Sequence, residues 1–231
     1  MKGIPSLMYK IKKIYITEVD YPEKLRHIYA PPQYLYVIGD ESILNQKSIA
    51  IIGCRNCTKY GAGNAYKFGY KLAEKGMNIV SGLARGIDTC AHKGAVEARK
   101  INLQKSENIG KTIAVLGSGL DVIYPPENRN LYQDILKTGG AIVSEYPLGT
   151  MPLKHHFPSR NRIISGLSDG VLVIEARKRS GTSITVEHAL EQGKDIYAIP
   201  GNINQENSYG TNDLIKQGAI PVTSIDDFLN L

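Results

Sequence analysis

The chain has 231 residues, 42% hydrophobic and 22% charged, with a formal net charge of +6. That is enough length for one large α/β domain with a sizeable core. No run of about 18 apolar residues and no signal-peptide pattern is present, so membrane insertion is not expected and the cytoplasm is. Three cysteines, Cys54, Cys57 and Cys90, are too few for a disulfide framework. The C-x-x-C pair finds no second pair to complete a zinc site.

Residues 1–46 read as an N-terminal extension packed on a core domain of residues 47–231. Proline breaks divide the extension, and residues 34–38 (YLYVI) read as a strand. From Ser48 strands and helices alternate. Apolar runs at 48–52, 78–80, 112–116, 141–143, 171–174 and 196–199 read as strands. Helical periodicity covers 62–75, 87–99, 128–137 and 183–192, with a short helical turn over 160–166. Residues 212–217 and 224–231 close the chain as helices, and residues 99–111 read as a solvent loop. This alternation predicts an α/β fold: a three-layer, doubly wound, extended Rossmann-like fold with a mostly parallel sheet.

Doubly wound sheets bind ligands beyond the carboxyl ends of their strands. The residues just after each apolar run therefore carry the functional reading. GCRNCT at 53–58 puts Gly53 and Arg55 at the first strand end; SGLARGID at 81–88 puts Gly82 and Arg85 at the second. Glycines let a backbone approach phosphate, and arginine forks two donors onto phosphate oxygens. GSGLD follows at 117–121, SEYP at 144–147, and a turn carrying Ser180, Gly181 and Thr182 comes after the fifth core strand. No G-x-G-x-x-G element exists, so no nicotinamide site and no other cofactor is expected.

Charge is distributed unevenly. Residues 47–111 carry twelve Lys/Arg against four Asp/Glu, while residues 195–231 carry one Lys against five acids. A basic region beside an acidic end suggests a polyanion partner for one face. The segment KHHFPSRNR at 154–162 is the most informative, because it interleaves Lys154, Arg160 and Arg162 with Phe157 and Asn161. Single-stranded nucleic acid requires this mixture: cations for phosphates and a ring for base stacking.

The ordered series G-x-R-x-x-T, SGLARGID, LGSGLD, SEYP, FPSRNRIISGLS and SGTSIT, followed by Pro200-Gly201, resembles the DprA/Smf family over roughly residues 20–220. The resemblance implies a non-enzymatic protein of natural transformation. Such a protein binds and protects incoming single-stranded DNA, pairs as a homodimer through its C-terminal part (here residues 203–220), and loads the RecA recombinase. It also implies that Arg55, Lys154, Phe157, Arg160, Asn161 and the 180–182 turn contact DNA, with Gly53 and Gly82 shaping the pocket floor. Arg85 matches a family arginine whose role is either DNA contact or loop tying. The competing reading is a nucleotide-cleaving enzyme of the lysine-decarboxylase-like phosphoribohydrolase type. The stretch at 179–187 lacks that group's double glycine, and its Glu187 falls too late in the motif.

Overall fold

A computed structural model describes residues 9–102, 108–178 and 180–228. Its strands, β1 (Ile11–Tyr15), β2 (Tyr34–Gly39), β3 (Ser48–Ile52), β4 (Asn78–Ser81), β5 (Thr112–Val115), β6 (Ala141–Ser144), β7 (Gly170–Val173), β8 (Asp195–Ala198) and β9 (Ile220–Pro221), form one sheet of nine among the described residues, in the order β1-β2-β6-β5-β4-β3-β7-β8-β9. The central strands are β3, β4, β5, β6 and β7. Every residue of these five strands is buried. Helices cover both sheet faces, so a continuous apolar run suits each strand and polar alternation would not. β8 (Asp195–Ala198) and the two-residue β9 (Ile220–Pro221) extend the parallel part.

Helices α2 (Lys59–Glu74), α3 (Ile87–Asn102) and α4 (Arg129–Lys137) cover one face, where they meet Ile49, Ile51, Ile79, Ala114 and Ile142. α1 (Glu23–Arg26), α5 (His156–Gly166), α6 (Gly181–Glu191) and α7 (Tyr209–Lys216) lie towards the other, over Ala50, Val80, Val115, Val143 and Val173. No described helix is long and apolar enough to cross a membrane.

Several boundaries move from those the sequence predicts. α2 opens at Lys59, a turn ahead of residue 62, because the Thr58 hydroxyl accepts the Gly61 N–H at 3.1 Å and caps it. α6 and α7 likewise start two to three residues early, while α4 starts one residue late, at Arg129. α5 opens at His156 instead of Arg160, which brings residues 156–159 of the basic-aromatic segment into the helix and leaves Lys154 and His155 before it. α3 continues to Asn102, so the loop expected over 99–111 begins later, and residues 103–107 lie outside the described residues. The closing helix expected at 224–231 is a single 3-10 turn at Ile225–Phe228 within the described residues.

The sheet also runs across residue 46. β1 (Ile11–Tyr15) and β2 (Tyr34–Gly39) add an antiparallel ribbon to β6. Ile14, Tyr21, Leu25 and Leu35 join the same core as Val143 and Ile163.

α2 and α3 approach closely because each gives up a side chain at the crossing. A Cβ at Gly69 would collide with the Ala91 carbonyl, and one at Gly94 with the Tyr66 carbonyl. Backbone cannot yield as a flexible side-chain tip can. Gly94→Val should therefore cost about 3 kcal/mol in urea unfolding. Gly63→Ala, on the same helix pair with nothing within 4 Å of the new Cβ, should be neutral or stabilising by up to about 1 kcal/mol. Equal effects at the two positions would contradict this packing.

Candidate functional site

Chain order reverses at β3, which pairs with β4 on one side and β7 on the other. The loops leaving β3 and β7 must diverge here, and a cleft of about 770 Å³ opens beyond the carboxyl ends of these strands. Gly53 lets the first loop pass: a Cβ there would sit 2.7 Å from Ile87 Cγ1 and 2.8 Å from the Glu175 carbonyl. The loop is then stitched on both sides. The Cys54 N–H donates to the Glu175 carbonyl at 3.0 Å, and the Cys54 carbonyl accepts the Ile87 N–H at 3.2 Å.

Glu175, buried at the end of β7, holds the rest of this loop. Its carboxylate accepts the Thr58 N–H at 3.0 Å, the Thr58 hydroxyl, and the Asn207 side-chain amide at 3.2 Å. Asn207 also donates to the Asn56 carbonyl at 3.0 Å and accepts from Arg177 Nε at 3.0 Å. The carboxylate is thus committed to tying the Thr58 and Asn207 segments to the end of β7. Cys54 is buried and Cys57 and Cys90 are half-buried. Burial raises all three thiol pKa values, and all three are free.

The open part of the cleft pairs cations with a ring. Phe157 is half-buried, and the Arg55 guanidinium lies 5.2 Å from its centroid. Arg160 approaches the same ring at 6.0 Å, and Tyr124 packs against it at 5.7 Å with the planes tilted by 48°. Arg55 and Lys154 are both exposed. Across the cleft α6 begins at Gly181, with space around it where a Cβ would meet nothing. Asn161 ties the two helices by donating to the Gly181 carbonyl at 3.3 Å. The Ser180 hydroxyl is buried among the described residues without a hydrogen-bond partner.

Arg160 forms the floor. Its side chain is buried, and it donates to the Gly82 carbonyl at 2.7 Å and to the Val115 carbonyl. A Cβ at Gly82 would sit 2.6 Å from this guanidinium, so glycine is required where Arg160 crosses beneath the β4 loop. Burial lowers the Arg160 pKa to about 10, with Asp88 opposing. It therefore stays charged at neutral pH. Burial raises the Asp88 pKa, opposed by the Arg160 charge and by amide donors. The Asp88 carboxylate accepts the Gly82 N–H at 3.1 Å and the Ala84 N–H at 3.3 Å. Leu83, between them, has φ +54°, a conformation that non-glycine residues hold only when their surroundings fix it.

His92 completes that fixation. It is fully buried, its Nε2 accepts the Leu83 N–H at 3.3 Å, and its Nδ1 lies 2.7 Å from Thr112 Oγ1. Thr112 donates its own proton to the Ile79 carbonyl at 2.8 Å, which leaves its oxygen to accept from Nδ1–H. The ring is neutral, with its pKa pushed down from 6.5 to about 3 by burial and by the Arg160 charge.

The structure thus brings Gly53, Arg55, Lys154, Phe157, Arg160, Asn161, Ser180, Gly181 and Thr182 into one cleft lining. Gly82 lies under the lining, against Arg160. Arg85 stands outside it, ion-paired to Glu127 and 6.0 Å from the Tyr124 ring centroid, so its contacts are with the loops. Asn56, Tyr124 and Arg177 also line the cleft; they lie in strand-end stretches of the sequence but are not among the residues expected to contact DNA. Tyr124 and Arg177 each follow an apolar strand, and a ring or a guanidinium at that place is the signal that marks them.

These features define an α/β protein of the extended Rossmann-like kind whose strand-end loops build a basic, aromatic cleft. The chain belongs to the DNA recombination-mediator protein A family, whose model it matches over residues 12–231. It is 46% identical over 220 residues to DNA processing protein DprA of Streptococcus pneumoniae, covering 95% of this chain and 74% of that protein. It is 45% identical to protein Smf of Escherichia coli, covering 90% of this chain but 53% of the relative. The solved Streptococcus pneumoniae DprA superimposes with a TM-score of 0.86 at 44% identity, covering 96% of this chain and 74% of that one. A Helicobacter pylori DprA structure, described for its single-stranded DNA binding mode, gives 0.78 at 31% identity, covering 96% and 94%. A molybdenum cofactor binding protein of Rippkaea orientalis shares the fold at 20% identity and a TM-score of 0.53, covering 80% of this chain and 94% of that one.

The buried neutral His92 sets an acid limit on the fold. The unfolded chain takes up a proton near pH 6.5 and the folded chain only near 3, so stability falls as pH drops through that interval. Between pH 7 and pH 5 the loss from this residue should be about 2 kcal/mol. Urea unfolding should show it in the wild type and not in His92→Gln. An identical pH dependence in both would contradict a neutral His92.

Proposed function

We propose that this cleft binds single-stranded DNA, and that the protein protects incoming strands and helps load the RecA recombinase on them. The observation that carries the reading is the partly open Phe157 ring between Arg55 and Arg160, with Lys154 at the rim. A base in a duplex is already stacked on both faces. A base in a single strand gains by stacking on a free ring, by about 1–3 kcal/mol. Arg55 and Lys154 then meet the phosphates, while Arg160 polarises the floor without leaving it. The relative whose title names single-stranded DNA binding supports the choice of ligand. The recombinase role is supported by the family's description as a recombination mediator.

Binding rather than chemistry is favoured by the state of the acids. Asp88 accepts from two loop amides, Glu175 from Thr58 and Asn207, and Glu187 is exposed and does not line the cleft. None of these three carboxylates is thus placed as a free acid or base for the phosphoribohydrolase reading. A homodimer through residues 203–220 is supported by the exposed Ile203 and Ile220 and by the place of β9 as the last strand of the sheet among the described residues.

Fluorescence anisotropy of a labelled oligothymidine against its duplex form, across a salt series, tests the ligand. Single strands should bind far more tightly, with affinity falling steeply as salt rises. Arg55→Ala and Lys154→Ala should each weaken binding roughly tenfold and lower the salt slope by about one. Equal or tighter duplex binding would refute the ligand, and unchanged binding by both variants would refute the site.

A further inference from the structure

The edge ribbon β1–β2 carries a second aromatic and cationic surface, outside the cleft. Its two strands pair Tyr15 with Tyr34 and Lys13 with Tyr36. Strand side chains alternate between faces, and Ile14, Leu35 and Val37 enter the core on one face. Lys13, Tyr15, Tyr34 and Tyr36 therefore share the other. The Tyr15 and Tyr34 centroids lie 6.1 Å apart, and those of Tyr34 and Tyr36 lie 5.5 Å apart, both edge to face. Lys13 Nζ sits among them at 4.7, 4.0 and 5.6 Å from the Tyr15, Tyr34 and Tyr36 centroids. Tyr15 is 45% exposed.

This surface faces the α2–α4 side of the sheet, but it stands at the same carboxyl edge as the cleft mouth. Tyr36 is level with Ser144, the last residue of β6, and β2 runs antiparallel to β6. Tyr34 and Tyr15 therefore project about 7 Å beyond the carboxyl edge of the parallel strands. Apolar groups lie between the two. Phe157 contacts Tyr124, and the neighbouring Ile123 packs into the same cluster as Tyr36. β2 is the fourth strand along from β3, so the platform stands roughly 20 Å from the cleft. A few nucleotides cover that distance, within the roughly 4–16 nucleotides of known single-strand platforms.

A lysine alone suffices to guard a sheet edge against unwanted pairing. Three tyrosines in register go beyond that need, and they repeat the chemistry of the cleft. The carboxylates bound on this ribbon, Asp20 and Glu41, are held at 2.7 and 3.2 Å by Lys12, which pairs with Val37 on the opposite face, and the groups around Lys13 are the tyrosines, with a hydrogen bond to Tyr15.

We propose that Lys13, Tyr15, Tyr34 and Tyr36 form a second binding surface for single-stranded DNA, on which a strand held in the cleft continues along the carboxyl edge of the sheet. This rests on the cleft binding a single strand, and the following test separates the two. Oligothymidines of about 6 and about 20 nucleotides, one filling the cleft alone and one able to reach the ribbon, are titrated against the wild type. The same titrations are run on Lys13→Gln and the double variant Tyr15→Leu/Tyr34→Leu, in which leucine keeps apolar cover on the strand pair. The variants should bind the long oligomer at least roughly fivefold more weakly and the short one normally. In the wild type, a long oligomer carrying 5-iododeoxyuridine should crosslink to Tyr15, Tyr34 or Tyr36 on irradiation, and a short one should not.

Unchanged long-oligomer binding in both variants, equal losses for both lengths, or crosslinks confined to the cleft would each overturn the platform. Failure of the wild type to bind the short oligomer would instead overturn the cleft reading. Long-oligomer crosslinks at the tyrosines would in that case still support the platform.

Discussion

A buried guanidinium organises this molecule. Arg160 sits under the carboxyl edge of the sheet and donates through Nη1 to the carbonyls of Gly82, just past β4, and Val115, the end of β5. An isolated buried charge would be prohibitive, and two features make it tolerable: those carbonyls and the Asp88 carboxylate beside it. Each in turn constrains its neighbours. Gly82 must lack a side chain for Arg160 to pass. Asp88 must face the 82–84 loop, whose amides it binds, and His92 must stay neutral to accept the Leu83 amide.

The same arginine fixes what stands above it. Arg160 and Phe157 lie three positions apart on α5, so they share one helix face. Anchoring the guanidinium beneath β4 and β5 therefore aims the Phe157 ring at the cleft. The lining splits the work. Buried groups, Arg160, Asp88 and Glu175, hold loops and carry the fixed field. Exposed groups, Arg55 and Lys154, remain free to meet a ligand. A cleft built this way is preorganised, so its own loops need little ordering on binding.

The central strands were legible because both faces of the sheet are covered: SIAII at 48–52 carries no polarity that would suggest an exposed side. β1 was not, since IKKIY shows little apolar run and gains its place only by pairing with β2. β9 is two residues long and includes Pro221. The first turn of α5 was hidden by Pro158, which reads as a helix breaker although proline is tolerated in a first turn, where its missing N–H would have no partner. The site was legible as a set of strand-end loops, and nine of the eleven chosen residues line one cleft. Which arginines are free could not be read. Arg160 is buried because Gly82 and Asp88, over seventy residues earlier, make room and charge for it. Arg85 is occupied because Glu127 lies across a loop.

The central claim is that a single strand lies in the cleft above an unmoved Arg160. A crystal structure with a short oligothymidine tests it directly. The expected result is a base stacked on Phe157, phosphates against Arg55 and Lys154, and Arg160 still donating to the Gly82 and Val115 carbonyls. A strand bound elsewhere with the cleft empty, or an Arg160 withdrawn from those carbonyls to reach phosphate, would contradict it.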